Sequence, residues 1–171
     1  PPAGAPEKPG PAVRLSLRRR KDTHMANILV SGCLLGIDCR YKGDNCLCSQ
    51  VAELAKEHTL IAVCPEQLGG LPTPRDPSER QGDRVISVNG ADVTKNSLAG
   101  AEAALRLALL NGVKIAILKS RSPSCGSGLI YDGTFTGNKV PGDGVCAGLL
   151  KKNGIRVYTE EEIGSINWED A

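Results

Sequence analysis

Three cysteines stand where strand-like runs of the sequence end. Cys33 follows Asn27–Gly32 (NILVSG), and Cys64 follows Thr59–Val63 (TLIAV). Cys125 sits in the loop KSRSPSCGSG, which trails Val113–Leu118 (VKIAIL). In open parallel sheets, ligands bind at the carboxyl ends of strands, in the crevice where strand order reverses. Three thiols that are distant in the chain can therefore meet at one point. Thiolates are soft ligands that favour Zn, Cu(I) or iron–sulfur clusters. A structural zinc site wants four ligands, usually from close CxxC pairs, whereas these ligands come singly. A [4Fe–4S] cluster normally takes four cysteines. Three would leave one iron open to water or substrate, a Lewis acid with affinity for sulfur. That points to chemistry on a sulfur-containing substrate rather than to electron transfer. The competing readings are a non-catalytic iron–sulfur or zinc-binding redox or sensor domain, and three buried structural thiols packed as small hydrophobes.

The flanking residues supply proton chemistry. Glu66 lies two positions after Cys64 and is a candidate general acid or base. Ser122 and Ser124 flank Pro123 just before Cys125, where a hydroxyl can hydrogen-bond substrate or a cluster sulfur, or stabilise a turn. Gly69, Gly70, Gly126 and Gly128 would let backbone amides approach an anion or cluster. Arg40, Arg75 and Arg80 are candidates to receive a phosphate if the substrate is a nucleotide; the alternative for each is a solvated loop charge. Of the remaining cysteines, Cys39, Cys46 and Cys48 are candidates for a second metal site but lack a clear fourth ligand; the alternative for Cys48, as for Cys146, is to face the core, and Cys39 is the spare thiol expected nearest the cluster. His58 reads as structural, near a helix C-terminus where a partly cationic ring suits the dipole. No histidine is placed for a Ser-His-Asp hydrolase, and CPE without PCxxC does not fit a zinc nucleobase deaminase.

These residues need elements to position them. NILVSG, TLIAV, VKIAIL and Ile155–Tyr158 (IRVY) read as strands. Residues 46–58, Ser97–Asn111 and Val145–Lys152 read as helices, with a last helical turn at Thr159–Ile163. In the clearest helix, Leu98, Ala101, Leu105, Ala108 and Leu109 form an apolar stripe, with Ser97 as N-cap and Gly112 as stop. Residues 64–83 read as a long loop. Residues 85–93 (VISVNGADV) read as a hairpin about Asn-Gly, and residues 129–137 as a small hairpin or extended loop. Strands alternating with helices predict a single-domain α/β fold, a Rossmann-like three-layer sandwich with a mainly parallel sheet. Neither a GxGxxG fingerprint nor a Walker-type phosphate loop is present.

Composition narrows the function classes. The 171 residues suit one domain, and a net charge of +2 argues against a dedicated nucleic-acid binder. Aromatic residues make up only 3% of the chain, which disfavours base-stacking modules. Seven cysteines, an odd count, without a signal-peptide pattern point to metal or redox chemistry in the cytoplasm rather than to a disulfide framework. No apolar run is long enough to span a membrane. Residues 1–24 carry five prolines and a basic Arg18–Lys21 run, and read as a disordered tail or non-native extension before a domain over 25–171.

The stretches SGCLLGIDCRYKG (31–43), VCPEQLGGLPTPR (63–75), LKSRSPSCGSGLIYDGTFTG (118–137) and GDGVCAGLLKKNGI (142–155) resemble the thiouracil desulfidase family over about residues 26–160. The resemblance implies a single α/β domain with a [4Fe–4S] cluster on Cys33, Cys64 and Cys125. It implies that the open iron takes the substrate's sulfur, with Glu66 and Ser122 assisting. The expected reaction is hydrolytic desulfuration of a thiolated pyrimidine (thiouracil, thiouridine or its nucleotide). Arg40, Arg75, Ser124 and Gly126 are the substrate-binding candidates. The expected partner is this small molecule, with no stable nucleic-acid complex and no membrane, in a monomer or homodimer. Lys42 departs from the family's RYDG-like stretch, where an acidic residue is common, and Cys46 and Cys48 stand outside its pattern.

Overall fold

The computed structural model describes residues 25–169 and 171. The tail expected at 1–24 lies outside the described residues. Four parallel strands form the central sheet: β1 (Asn27–Ser31), β2 (Thr59–Val63), β5 (Ile115–Leu118) and β8 (Arg156–Thr159), in the order β2-β1-β5-β8. The register runs Leu29 against Ile61 on one side of β1 and against Ala116 on the other. After β1 the chain moves outward to β2, then crosses back over β1 to reach β5. The strand order therefore reverses at β1 and β5, and the crevice at their carboxyl ends is the expected ligand position.

Alternation of side chains builds two cores. Leu29, Ala116 and Leu118 face α3 (Thr94–Leu110) and α4 (Val145–Lys152). Ile28, Val30, Ile115 and Ile117 face Leu34, Val51 and Ile166 on the opposite side. Both faces of the central strands are covered, which is why they read as unbroken apolar runs. The three-layer α/β arrangement expected from the sequence is the one found. Among the described residues, no helix is long and apolar enough to cross a membrane.

Several local expectations change. The helix expected over 46–58 is shorter: α1 (Ser49–Glu53) runs into a 3-10 turn over Leu54–Lys56. The loop expected over 64–83 contains α2 (Pro65–Leu68), β3 (Ser78–Gln81) and a cis Thr73–Pro74 peptide. The Asn-Gly turn forms, with Ser87 and Ala91 bonded across it. Beyond it there is only an isolated Ile86–Asp92 bridge, and the main partner of β4 (Arg84–Ser87) is β3 instead. Helix α3 starts at Thr94 rather than Ser97, because Asp92 accepts the Thr94 N–H while the Ser97 hydroxyl bonds back to Val93 O within the helix. Its buried stripe is Ser97, Gly100, Ala101, Ala104 and Ala108, while Leu98 and Leu109 are exposed. The helix packs through small residues because another backbone lies against it. A Cβ on Gly100 would sit 1.7 Å from Pro65 O, and one on Gly69 would sit 2.0 Å from Asn96 O.

The expected hairpin after Cys125 is β6 (Leu129–Tyr131) paired with β7 (Lys139–Pro141). The last helical turn is a 3-10 turn at Ile163–Ser165. His58 is structural, but its surroundings disfavour the cationic ring. Its Nδ1 accepts the Ala26 N–H at 3.3 Å, its ring stacks on Trp168 at 4.6 Å, and burial holds its pKa below the usual value despite Glu57 nearby.

Candidate active site

A cavity of about 650 Å³ opens at the carboxyl ends of β1, β2 and β5. It is lined by Cys33, Cys64 and Cys125, and also by Glu66, Ser122 and Ser124. Each arrives by the same logic. β1 ends and turns at Gly32, delivering Cys33. β2 ends at Val63, and Cys64 is the residue just before α2. Pro65, which needs no amide partner, opens that helix and Glu66 follows in its first turn. The loop after β5 delivers Ser122, Ser124 and Cys125.

The thiols are unoxidised and mostly enclosed. Cys33, Cys39 and Cys125 are buried and Cys64 is half-buried. Cys39 joins the group: the neighbouring Cys33 thiol pushes its pKa up, with burial adding and Cys64 opposing. The Cys64 thiol donates to Cys39 O at 3.7 Å, and the Cys39 thiol beside it together with burial pushes its pKa far up. Burial raises Cys125, with Cys146, Cys64 and Glu66 adding to the effect and a Ser31 hydrogen bond opposing it. Cys146 is core, pushed up to about 12 by burial alone. Burial and neighbours thus favour the protonated form at Cys64 and Cys125, and a soft metal group would draw those protons off on taking the sulfurs as ligands. Among the described residues, no three Cys, His, Asp or Glu side chains converge at the spacing of a single ion. Cys33, Cys39, Cys64 and Cys125 share the lining of one cavity.

Glu66 is tied down by Arg75. The Arg75 Nε donates to Glu66 Oε2 at 2.6 Å, and Nη2 pairs with the same oxygen. Nη2 also donates to Cys39 O at 2.9 Å, and Nη1 to Pro72 O at 3.2 Å and Thr73 Oγ1 at 3.1 Å. All five guanidinium donors are thereby engaged inside the protein. The sequence placed Arg75 among the substrate-binding candidates; the fold uses its fork to hold a carboxylate and two loop segments. Glu66 Oε1 remains toward the cavity, with Ser124 Oγ at 3.4 Å. Ser122 Oγ accepts the N–H groups of Ser124 and Cys125, both at 3.1 Å. A hydroxyl has two acceptor lone pairs and one proton, so Ser122 is left to donate.

The other candidates separate. Arg40 lines the cavity but pairs with Asp44 at 3.2 Å. Arg80 bonds to Asp143 O and Gly82 O and does not line the cavity. Gly126 does not line it either: its N–H goes to Ser122 O at 2.8 Å, and a Cβ there would lie 2.7 Å from that oxygen. Lys42 points its ammonium over the Tyr41 ring at 5.7 Å, outside the cavity wall. Cys46 and Cys48 pack, half-buried, against the α1-side core.

A family model described as 2-thiouracil desulfurase matches residues 28–162. The chain belongs to the 2-thiouracil desulfurase family. It is also 43% identical, over 81% of its length and 99% of the relative's, to a Bacillus subtilis (strain 168) protein described as the uncharacterized protein YbbK. Among solved structures it resembles the [4Fe-4S]-dependent thiouracil desulfidase TudS, with TM-score 0.78 and 45% identity over 82% of this chain and 94% of that one.

Several residues of this desulfurase-family site were absent from the sequence reading. Ser31, at the end of β1, bonds toward Cys125 and accepts the Lys119 N–H at 2.9 Å. Lys119 and Ser120, both on the cavity wall, are fixed by the Glu160 carboxylate. Burial alone would raise Glu160, but its bonds from Lys119 and Ser120 outweigh that and hold it below the usual carboxylate range. Glu79, Tyr41, Tyr131 and Phe135 form another part of the wall. A buried ion pair or polar contact between distant loops leaves no periodic trace, so the sequence offered no signal for them.

Proposed function

We propose that this chain desulfurates thiolated pyrimidines hydrolytically, exchanging a thiocarbonyl sulfur for oxygen from water and releasing sulfide. The observation that carries this reading is the convergence of Cys33, Cys64, Cys125, Glu66 and Ser122 on one cavity at the switch point of the sheet. The fit to a [4Fe–4S] cluster rests on the donor set: soft sulfur atoms, delivered separately from distant parts of the chain to one cavity. Cys33, Cys64 and Cys125 would hold it, with Cys39 as a neighbouring thiol that is not a ligand. When bound, the cluster supplies a Lewis-acidic iron with affinity for the substrate's sulfur.

The chain's own residues do the rest. Arg75 holds Glu66 Oε2, so Oε1 faces the cavity in one orientation and takes a proton from the attacking water. Ser122 donates its only proton to an acceptor on the ring or to the departing sulfur. The enclosing walls limit competing water. The overall change, thiocarbonyl plus water to carbonyl plus hydrogen sulfide, balances without an electron donor or acceptor. Free cysteines throughout suit a reducing compartment such as the cytoplasm.

The test is anaerobic turnover of 2-thiouracil in 18O-labelled water. One labelled oxygen per uracil and one sulfide per uracil are expected. Unlabelled uracil, or turnover that demands a reductant, would remove the hydrolytic reading. The alternative of a non-catalytic cluster carrier predicts no uracil at all.

A further inference from the structure

Glu79 is a buried carboxylate with no cationic partner within ion-pair reach among the described residues; it is 9% exposed. Its Oε2 accepts two backbone N–H groups, from Gly133 at 2.9 Å and Phe135 at 3.1 Å. Its Oε1 has no hydrogen-bond partner among the described residues, yet it is not one of the sealed, unpaired polar atoms. Glu79 lines the same cavity as Glu66 and the thiols. A carboxylate oxygen so enclosed and left without a donor is costly. A site that keeps one has a donor to offer it.

The N–H groups that Glu79 holds belong to the loop beyond β6. Phe135 is one of two non-glycine residues there or elsewhere in the described chain with positive φ, at 58°. A bulky side chain rarely adopts that conformation, and such strain gathers at ligand clamps. Gly133 at φ 89° lets the loop lie against β3, where a Cβ would sit 2.5 Å from Arg80 O. Gln81 Nε2 adds a bond to Gly133 O at 2.9 Å. Phe135 and Tyr131 line the cavity beside Glu79.

Resting on the desulfidase reading, we infer that Glu79 and Phe135 form the recognition end of the site: Glu79 Oε1 accepts a ring N–H of the pyrimidine, and Phe135 supplies a face for the ring. One carboxylate then does both tasks, since the oxygen that anchors Phe135 fixes the direction of the oxygen that reads the substrate.

The test is uracil binding by calorimetry to the reconstituted holoprotein, together with steady-state kinetics on 2-thiouracil and its N1- and N3-methyl derivatives. In Glu79→Gln the two backbone N–H groups keep the amide oxygen, which turns the amide nitrogen into the cavity and replaces an acceptor by a donor. Uracil affinity is expected to fall about 10- to 100-fold, the worth of a hydrogen bond to a charged group. KM for 2-thiouracil rises alike, while kcat and iron per chain hold. Methylating the ring nitrogen that faces Glu79 should cost the native protein a similar factor and the variant little. Phe135→Leu, which leaves Glu79 in place, should weaken uracil about 10-fold through lost stacking. Uracil affinity within twofold of native in both variants overturns the inference, as does an equal methylation penalty in native and Glu79→Gln proteins. A native protein that binds uracil through Glu79 but releases no sulfide would sink the desulfidase reading alone.

Discussion

Replacing Arg75 separates two roles for one guanidinium. Its side chain is 7% exposed and that of its partner Glu66 17%. Removing one member of a buried pair costs about 3–5 kcal/mol, because the other charge is left without compensation. Glu66 keeps some contact with water, so the lower end applies, about 3 kcal/mol for Arg75→Ala. In a domain of this size that lowers Tm by about 6–12 °C. The catalytic effect is separate. Glu66 as general base is worth about 10²–10⁴ in rate, and freeing its carboxylate to rotate forfeits a part, about 10- to 100-fold in kcat. KM should hold, because no Arg75 donor is left for substrate. Arg75→Lys keeps the charge but not the fork, and should fall between. The assay is a thermal melt beside steady-state desulfuration of 2-thiouracil and of a thiolated nucleotide. An Arg75→Ala protein with native Tm and kcat, but a raised KM for the nucleotide alone, would refute this and restore Arg75 as a phosphate receiver.

Glu66→Gln should lower kcat by about 10²–10⁴ while iron per chain and the visible absorbance stay native; lost iron would make Glu66 structural. Gly100→Ala tests the packing that carries Glu66, because its Cβ would collide with Pro65 O. The helices must part, and a loss of about 3 kcal/mol or more, read by denaturant melts, is expected; a native-like midpoint would contradict the α2–α3 contact. His58 sets a pH dependence. Its folded pKa lies below the usual 6.5 because burial disfavours the charged ring. The unfolded chain therefore binds the proton first. Its contribution is complete above about pH 6.5 and is lost as pH falls through the folded value. The stability gap between native protein and His58→Asn should narrow from pH 8 to pH 5; a gap that widens would contradict a neutral, stacked ring.

The legible parts of the fold are those with strong local signals. Four apolar runs bounded by turns became the sheet, and cysteines at three of their ends became the cavity wall. What stayed hidden has a common cause. The segment SERQ of β3 has no apolar alternation, so a strand paired through its backbone looked like loop, and Glu79 went unnoticed with it. The apolar periodicity of α3 pointed to leucines, but Pro65 and Gly69 press so closely that position 100 admits only glycine, and the buried stripe is made of small residues. Arg75 was visible as a charge near the motif, but its five donors are spent on groups brought together only by folding. Gly126 looked like an amide available to substrate, whereas the turn onto Ser122 takes that amide.

The central claim is that three strand-end thiols hold one cluster. The most direct measurement is iron, acid-labile sulfide and zinc per chain after anaerobic reconstitution, in the native protein and in single Cys→Ser variants. About four irons and four sulfides per chain are predicted for the native protein, with loss in the variants at Cys33, Cys64 and Cys125 and retention in that at Cys39. One zinc without labile sulfide, or iron that survives loss of Cys125, would contradict it.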